Sequence, residues 1–274
     1  MRVVLFAIFT MTTFFQVSSV LAQQREVKIF AHRGGSYEYD ENTMSAFQAS
    51  YEQGARGFEL DIRITRDNHL VLMHDPSMKR TVGIDRPIEE LTLREVKELR
   101  TLKGFPIPTL DEAIAFFRDK PGLYVEFEMK TQKPSYDEAT LKLYCDWVYR
   151  KVYACVPQGS EYVLTSFDKR PLRYLRENCP KAIPVLLKSE GLSEKLMVEA
   201  RMLDVNRIGC RLEHTTRDMI GKAKKEGFKI TLWPGRTVED FMLGVMLEPE
   251  ALCTDIPVEV MTWVKENAPW ITIL

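Results

Sequence analysis

GFELDIRITRDNHLVLMHDP, residues 57–76, holds two β-rich apolar runs, Phe58–Ile62 and Leu70–His74. Between them Thr65-Arg66-Asp67-Asn68 leaves room for a turn but not for a helix. A strand buried on both faces of a helix-covered parallel sheet should read as continuous apolar residues. This one does not: Glu59 and Asp61 are two apart and share one side, while Phe58, Leu60 and Ile62 share the other. Two carboxylates turned into one interior repel each other and lose hydration unless a cation joins them. That pattern points to a hard-metal site built from oxygen ligands, as against an edge strand with a solvated acidic face.

The same arrangement recurs in LYVEFEMKT, residues 123–131, where Glu126, Glu128 and Lys130 fall on one side and Val125, Phe127 and Met129 on the other. Working outward, nine short runs alternate with helical patterns: Val27–Ala31, Phe58–Ile62, Leu70–His74, Leu123–Met129, Tyr162–Phe167, Ile183–Leu187, Arg207–Cys210, Lys229–Leu232 and Ala251–Thr254. Thr92-x-x-Glu95 and Thr109-x-x-Glu112 fit the capping box, in which a hydroxyl and a carboxylate satisfy helix-start N–H groups reciprocally. Alternating strands and helices call for a parallel sheet, and the length favours closure into a (β/α)8 TIM barrel. Nine runs for eight places predict a distorted barrel with a hairpin-like irregularity after the second strand.

The chain of 274 residues opens with a charged Met1-Arg2, an apolar run from Val3 to Phe15 and small residues up to Ala22. This is the layout of a cleaved signal peptide, with an apolar stretch too short to span a bilayer. The expectation is an exported protein, periplasmic or secreted, with residues 23–274 forming one catalytic barrel domain. Removing residues 1–22 shifts the net charge only from −1 to −2, which gives no general attraction to nucleic acid or anionic membrane. No second apolar segment of spanning length follows, so no stable membrane insertion is expected; oligomeric state cannot be read from the sequence. Five cysteines, at 145, 155, 179, 210 and 253, lie far apart with no C-x-x-C pair, and most are expected to be buried apolar residues.

Two of the four histidines stand where barrel chemistry is carried. His32 follows the first run and precedes Gly34-Gly35, and His74 ends the third run just before Asp75-Pro76. Strand C-termini form the active-site face of such barrels, so two histidines at two such ends count together. His69, in a turn, and His214, before a helix start, lack this setting. The two imidazoles, the strand-borne carboxylates and the cations Arg33 and Lys130 suit phosphodiester cleavage. A divalent ion and the cations would neutralise the phosphate, while one histidine takes a proton and the other gives one. Acyl transfer and nucleotide-dependent chemistry are not supported, since no G-x-S-x-G elbow, Walker loop or G-x-G-x-x-G occurs.

The landmarks AHRGG, ENT, FELDIRITRDNHLVLMHDP, RTVG, IPTLDEAI, VEFEMK, TSFD, ITLWPG and CTDIP, spread over about residues 28–260, resemble the glycerophosphodiester phosphodiesterase family. The resemblance implies a (β/α)8 barrel that hydrolyses glycerophosphodiesters to glycerol 3-phosphate and an alcohol with Mg2+ or Ca2+. By motif position it implies His32 and His74 as the acid/base pair and Arg33 and Lys130 on the phosphate. Glu59, Asp61 and Glu128 would hold the metal, and Trp233 would lie against the glycerol. His74 could also count as a ligand of the ion, and Glu126 receives no role. The chain departs from the pattern at Asp40, where proline is usual, and at Pro234-Gly235-Arg236, where Thr-Val-Asn is common; the second change bears on the substrate end of the pocket. Glu41-Asn42-Thr43 could be plain helix-start residues or could orient Arg33. Trp233 could equally be barrel packing, and the Lys/Arg-rich stretch from Arg217 to Gly227 reads as the solvated face of a helix. Competing functions are a phospholipase D-like or cyclising lyase acting on lipid, disfavoured by the lack of an obvious apolar docking loop, and a non-catalytic glycerophosphodiester-binding barrel.

Overall fold

The computed structural model describes residues 24–132 and 136–274; the expected signal peptide, residues 1–22, lies outside the described residues. The strands are β1 (Arg25–Val27), β2 (Ile29–Ala31), β3 (Gly57–Ile64), β4 (Leu70–Leu72), β5 (Tyr124–Met129), β6 (Glu161–Ser166), β7 (Pro184–Gly191), β8 (Arg207–Arg211), β9 (Lys229–Trp233), β10 (Ala251–Thr254) and β11 (Ile271–Ile273). The helices are α1 (Met44–Glu52), α2 (Lys79–Val82), α3 (Leu93–Glu98), α4 (Leu110–Arg118), α5 (Glu138–Val152), α6 (Lys169–Asn178), α7 (Glu194–Met202), α8 (Arg217–Lys225), α9 (Val238–Leu247) and α10 (Pro257–Asn267). Strands β2, β3, β5, β6, β7, β8, β9 and β10 form a closed parallel barrel, sealed where Ala31 of β2 pairs with Phe58 of β3. The fold is the expected (β/α)8 TIM barrel.

The third run, Leu70–His74, is the expected irregularity: β4 pairs antiparallel with β3, Ile62 opposite Leu72 and Ile64 opposite Leu70. Chain between β4 and α4 then forms α2 and α3 over a small apolar cluster of Val71, Met73, Met78, Ile88, Leu91, Val96 and Ile107. Both capping boxes form, Thr92 with Glu95 at α3 and Thr109 with Glu112 at α4. One boundary is corrected. The run Val27–Ala31 is two strands, because Val27 pairs with Ile273 in a separate parallel pair, β1 with β11, while Ile29–Ala31 enters the barrel. The sequence run was too short for its break at Lys28 to show.

Alternation sorts the side chains. Phe58, Leu60 and Ile62 of β3 and Val125, Phe127 and Met129 of β5 face the main apolar core under the helices. Inside the barrel, Phe30, Tyr124, Val163, Val185, Leu187, Ala251 and Cys253 pack together. Gly57 marks where β2 and β3 come closest, since a Cβ there would lie 2.1 Å from the Ile29 carbonyl oxygen. Cys145, Cys179, Cys210 and Cys253 are buried and Cys155 is exposed, with no disulfide joining them. On α8 the apolar Ile220 and Ala223 point inward and the Lys/Arg residues outward, as read. No helix among the described residues is long and apolar enough to cross a membrane.

Candidate active site

Parallel register brings the two acidic strands together: Glu59 lies opposite Glu126, and Asp61 opposite Glu128. All four carboxylates are buried, at no more than 7% exposure. Glu59, Asp61 and Glu128 each offer an oxygen within 4.8 Å of the others, so three donors converge on one point. Glu59 Oε1 is buried without a hydrogen-bond partner. Burial, Asp61 and Glu128 push the Glu59 carboxyl well above the carboxylate range, and burial also raises Glu128. Asp61 goes the other way: burial opposes its ionisation, but Lys130, His74, Arg33 and a hydrogen bond from Asn42 hold it well below. A buried carboxylate with an unpartnered oxygen, beside two others, fits a hard divalent cation, which would supply the missing positive charge.

The cations stand around this triad. Arg33 Nε lies 3.3 Å from Asp61 Oδ2, and the Arg33 backbone N–H donates to Glu59 Oε2 at 3.0 Å. Arg33 is left-handed, at φ 52°, and is followed by Gly34 and Gly35 at φ 84° and 100°. A Cβ on Gly34 would sit 2.9 Å from the Ala46 Cβ, so glycine is what lets this turn press against α1. Lys130 Nζ lies 2.9 Å from Asp61 Oδ1 and 2.6 Å from Glu128 Oε1. Burial works against both cations, but the surrounding carboxylates outweigh it and raise the pKa of each.

His32 follows β2, and its Nδ1 pairs with Asp255 Oδ1 at 2.5 Å while Nε2 lies 3.9 Å from Glu59 Oε2. Asp255 also accepts from Ser36 Oγ at 2.6 Å, and despite burial the hydrogen bond from His32 holds its carboxyl below the usual range. His74 arrives by a different route from the one the sequence suggested. It does not end a barrel strand; β3 runs on past the rim and β4 carries the chain back, so that the Met73 N–H reaches the Asp61 carbonyl at 3.0 Å. Its Nδ1 pairs with Asp75 Oδ1 at 2.6 Å. Burial, then Lys130 and Arg33, lower the His74 pKa against the pull of Asp61 and Asp75.

A cavity of about 310 Å³ is lined by His32, Arg33, Glu59, His74, Glu126 and Glu128 on one side and by Phe167, Leu187, Ser189, Trp233, Pro234 and Arg236 on the other. Asp61 and Lys130 lie behind that lining. Trp233 meets Phe167 edge-on at 5.6 Å and carries the Arg211 guanidinium 5.1 Å from its ring. His69 and His214 are exposed and line no part of this cavity. A second cavity of the same size, at the N-terminal end of the barrel, holds charges that already pair with one another, such as Arg25 with Glu248 at 3.3 Å.

The ENT stretch divides its work. Thr43 caps α1, accepting from the Ala46 N–H at 3.1 Å; Asn42 donates to Asp61 Oδ2 at 2.7 Å; and Glu41 accepts from Arg33 at 3.3 Å. Two further residues escaped the sequence reading. Asp255 follows β10, a strand-end position that could have flagged it. Arg63 gave no signal, because its role is to hold the His74 carbonyl at 2.6 Å across the hairpin.

Glu126 is the buried carboxyl left without a cation. It accepts from Tyr124 Oη at 2.5 Å, yet burial pushes its pKa up to about 7. A carboxyl raised above its unfolded value stabilises the fold fully below the unfolded pKa and loses that contribution as pH rises through the folded one. Glu126→Gln keeps the acceptor for Tyr124 and removes the ionisation. In EDTA it should therefore stabilise the protein by on the order of 3 kcal/mol at most at pH 8 and little at pH 5, read as a rise in thermal midpoint at the higher pH alone. An equal shift at both pH values in thermal melts would contradict this.

The sequence profile described as the Glycerophosphoryl diester phosphodiesterase family matches residues 32–259. A glycerophosphodiester phosphodiesterase of Caldanaerobacter subterraneus is 28% identical over 249 residues, covering 87% of this chain and 98% of its own. An Oleispira antarctica phosphodiesterase, solved in complex with the product sn-glycerol-3-phosphate, superposes with a TM-score of 0.77 at 21% identity, over 87% of this chain and 96% of its own. The glycerophosphodiester phosphodiesterase of Thermotoga maritima superposes with a TM-score of 0.68 at 25% identity, over 88% of this chain and 98% of its own. With its profile match running from His32 to Glu259, this chain belongs to the glycerophosphoryl diester phosphodiesterase family.

Proposed function

We propose that the chain hydrolyses small glycerophosphodiesters to glycerol 3-phosphate and an alcohol, using one divalent cation, Mg2+ or Ca2+, held by Glu59, Asp61 and Glu128. The observation that carries this is the meeting, at one cavity, of a three-carboxylate cluster, whose Glu59 and Glu128 line it, with two histidines that each lean on an aspartate. The cation, when bound, neutralises phosphate charge and acidifies oxygens near it. Arg33, from the cavity wall, and Lys130, from one layer behind, add positive charge for the phosphate. His74, whose lowered pKa keeps it neutral, takes the proton from the attacking water as its oxygen bonds to phosphorus. His32, held in place through Nδ1 by Asp255, gives its proton to the alkoxide as the phosphorus–oxygen bond breaks. Trp233 offers an apolar face to the glycerol carbons. The reading includes export after removal of residues 1–22, which the N-terminal sequence of the mature protein would check.

The test is release of glycerol 3-phosphate from a panel of glycerophosphodiesters, with EDTA and with metal restored. Metal-dependent release is expected; no release from any substrate by folded, metal-supplied protein would reject both the reaction and the cation. A lipid-acting version is favoured by one observation: Tyr37 is 62% exposed and Leu102 is 70% exposed, on loops that Lys103 links by its 3.4 Å contact to the Tyr39 carbonyl. Turnover of lysophospholipid, or a cyclic phosphate among the products, would identify that version.

A further inference from the structure

Arg80 lies on α2, outside the barrel, with half its side chain exposed. Its guanidinium grips two carboxylates at once. Nη1 and Nη2 donate to Glu41 Oε2 and Oε1 at 2.6 and 2.7 Å, and Nε donates to Asp75 Oδ2 at 2.7 Å. Each carboxylate continues to a group on the cavity wall. Asp75 turns its other oxygen to His74 Nδ1 at 2.6 Å, and Glu41 Oε1 accepts from Arg33 Nη1 at 3.3 Å. The series Arg33, Glu41, Arg80, Asp75, His74 is thus unbroken and joins the loop after β2 to the return arm of the β3–β4 hairpin.

We propose that Arg80 is a positioning residue that holds His74 and Arg33 in one frame, and that the segment from β4 to α3 exists in part to present it. This rests on the roles given to His74 and Arg33 above. The backbone under Arg80 is fixed: Met78 is fully buried, its N–H donates to the Arg86 carbonyl at 3.0 Å, and the Thr81 carbonyl accepts from Leu102 N–H at 2.8 Å. Only a planar guanidinium can place two parallel N–H bonds on one carboxylate and a third on another; an ammonium is a single point charge. Arg80 is half exposed but the Glu41 side chain it grips is only 9% exposed, so the clamp neutralises a buried carboxylate as well as fixing geometry. Displacement of a reacting group by about 1 Å can cost about 100-fold in rate.

The experiment compares wild type with Arg80→Met, Arg80→Lys, Glu41→Gln and the Arg80→Met/Glu41→Gln double variant. It measures kcat and KM on the fastest glycerophosphodiester, together with thermal midpoints and the side-chain 15N spectrum of the histidines. Arg80→Met should lose about 10–100-fold in kcat while remaining folded at the assay temperature, and any fall in its midpoint, from the buried Glu41 carboxylate, should be relieved in the double variant. Arg80→Lys should recover only part, and added guanidinium should restore activity to Arg80→Met. The double variant should be no worse than Arg80→Met alone, since both break one chain of contacts. Independently of turnover, His74 should hold a single tautomer, with Nδ1 protonated toward Asp75, in wild type and a mixture in Arg80→Met. A kcat within twofold of wild type, strictly additive losses, or an unchanged His74 spectrum would overturn the proposal. Wild-type inactivity with the expected spectral change would instead reject the reaction assigned above and leave the clamp standing.

Discussion

Replacing His32 by alanine should lower kcat by about 10²–10⁴-fold, the usual contribution of a positioned proton donor or acceptor. Thermal stability should fall as well, because the buried Asp255 carboxylate is left with the Ser36 hydroxyl as its close partner. The loss in kcat comes from two places. The leaving alkoxide has no proton source, and Asp255, still buried, has no imidazole to hold. Asp255→Asn should therefore show most of the same defect, because an amide cannot hold the imidazole in the same tautomer and orientation. His74→Ala should fall as far, with one difference: its lowered pKa puts the acid limb of the wild-type profile below the ordinary imidazole range, and that limb should disappear. Activity falls on the acid side because protonated His74 cannot accept a proton. Measured pH profiles of kcat/KM for the three proteins decide this. A His32→Ala enzyme with more than a tenth of wild-type kcat would remove His32 from the chemistry.

Asp61→Asn and Glu59→Gln should both abolish metal-dependent turnover, yet move the stability of the metal-free protein in opposite directions. Asp61 is the counter-charge for Lys130 at 2.9 Å and Arg33 at 3.3 Å. Taking it away strands buried positive charge and should cost about 3 kcal/mol or more in EDTA. Its carboxyl is held below its ordinary value, so this stabilisation is present above the normal aspartate range and fades as pH falls through the lowered one. Glu59 is raised instead, so its ionised form at neutral pH weighs against the fold, and Glu59→Gln should hold or gain stability there. Saturating Mg2+ or Ca2+ should lift wild type above both variants. A ligand at 100 times its Kd stabilises by about 2.7 kcal/mol, which wild type gains and neither variant does. Denaturation with EDTA and with each ion tests all of this; wild type indifferent to both ions would sink the three-carboxylate site.

Much of this was legible in the sequence, for identifiable reasons. A period of two placed Glu59 and Asp61 on one side of β3 and Glu126 and Glu128 on one side of β5, because strand geometry leaves no other option. The absence of room for a helix at Thr65–Asn68 gave away the hairpin, and hydroxyl–carboxylate spacing gave both capping boxes. These are local facts, fixed by neighbours a few residues apart. Tertiary structure alone decided the register that sets Asp61 beside Glu128, and the fold-back that delivers His74 from an antiparallel arm rather than a barrel strand. It alone joined His32 to Asp255, 223 residues apart in the chain but at the ends of the paired strands β2 and β10, and Glu41 to Asp75 through Arg80. Nor could composition show that of two adjacent carboxylates one is driven up and the other down. Their residue types are nearly alike; what separates them is whether Lys130 and Arg33 stand near enough to outweigh burial, and that is a matter of distance in space.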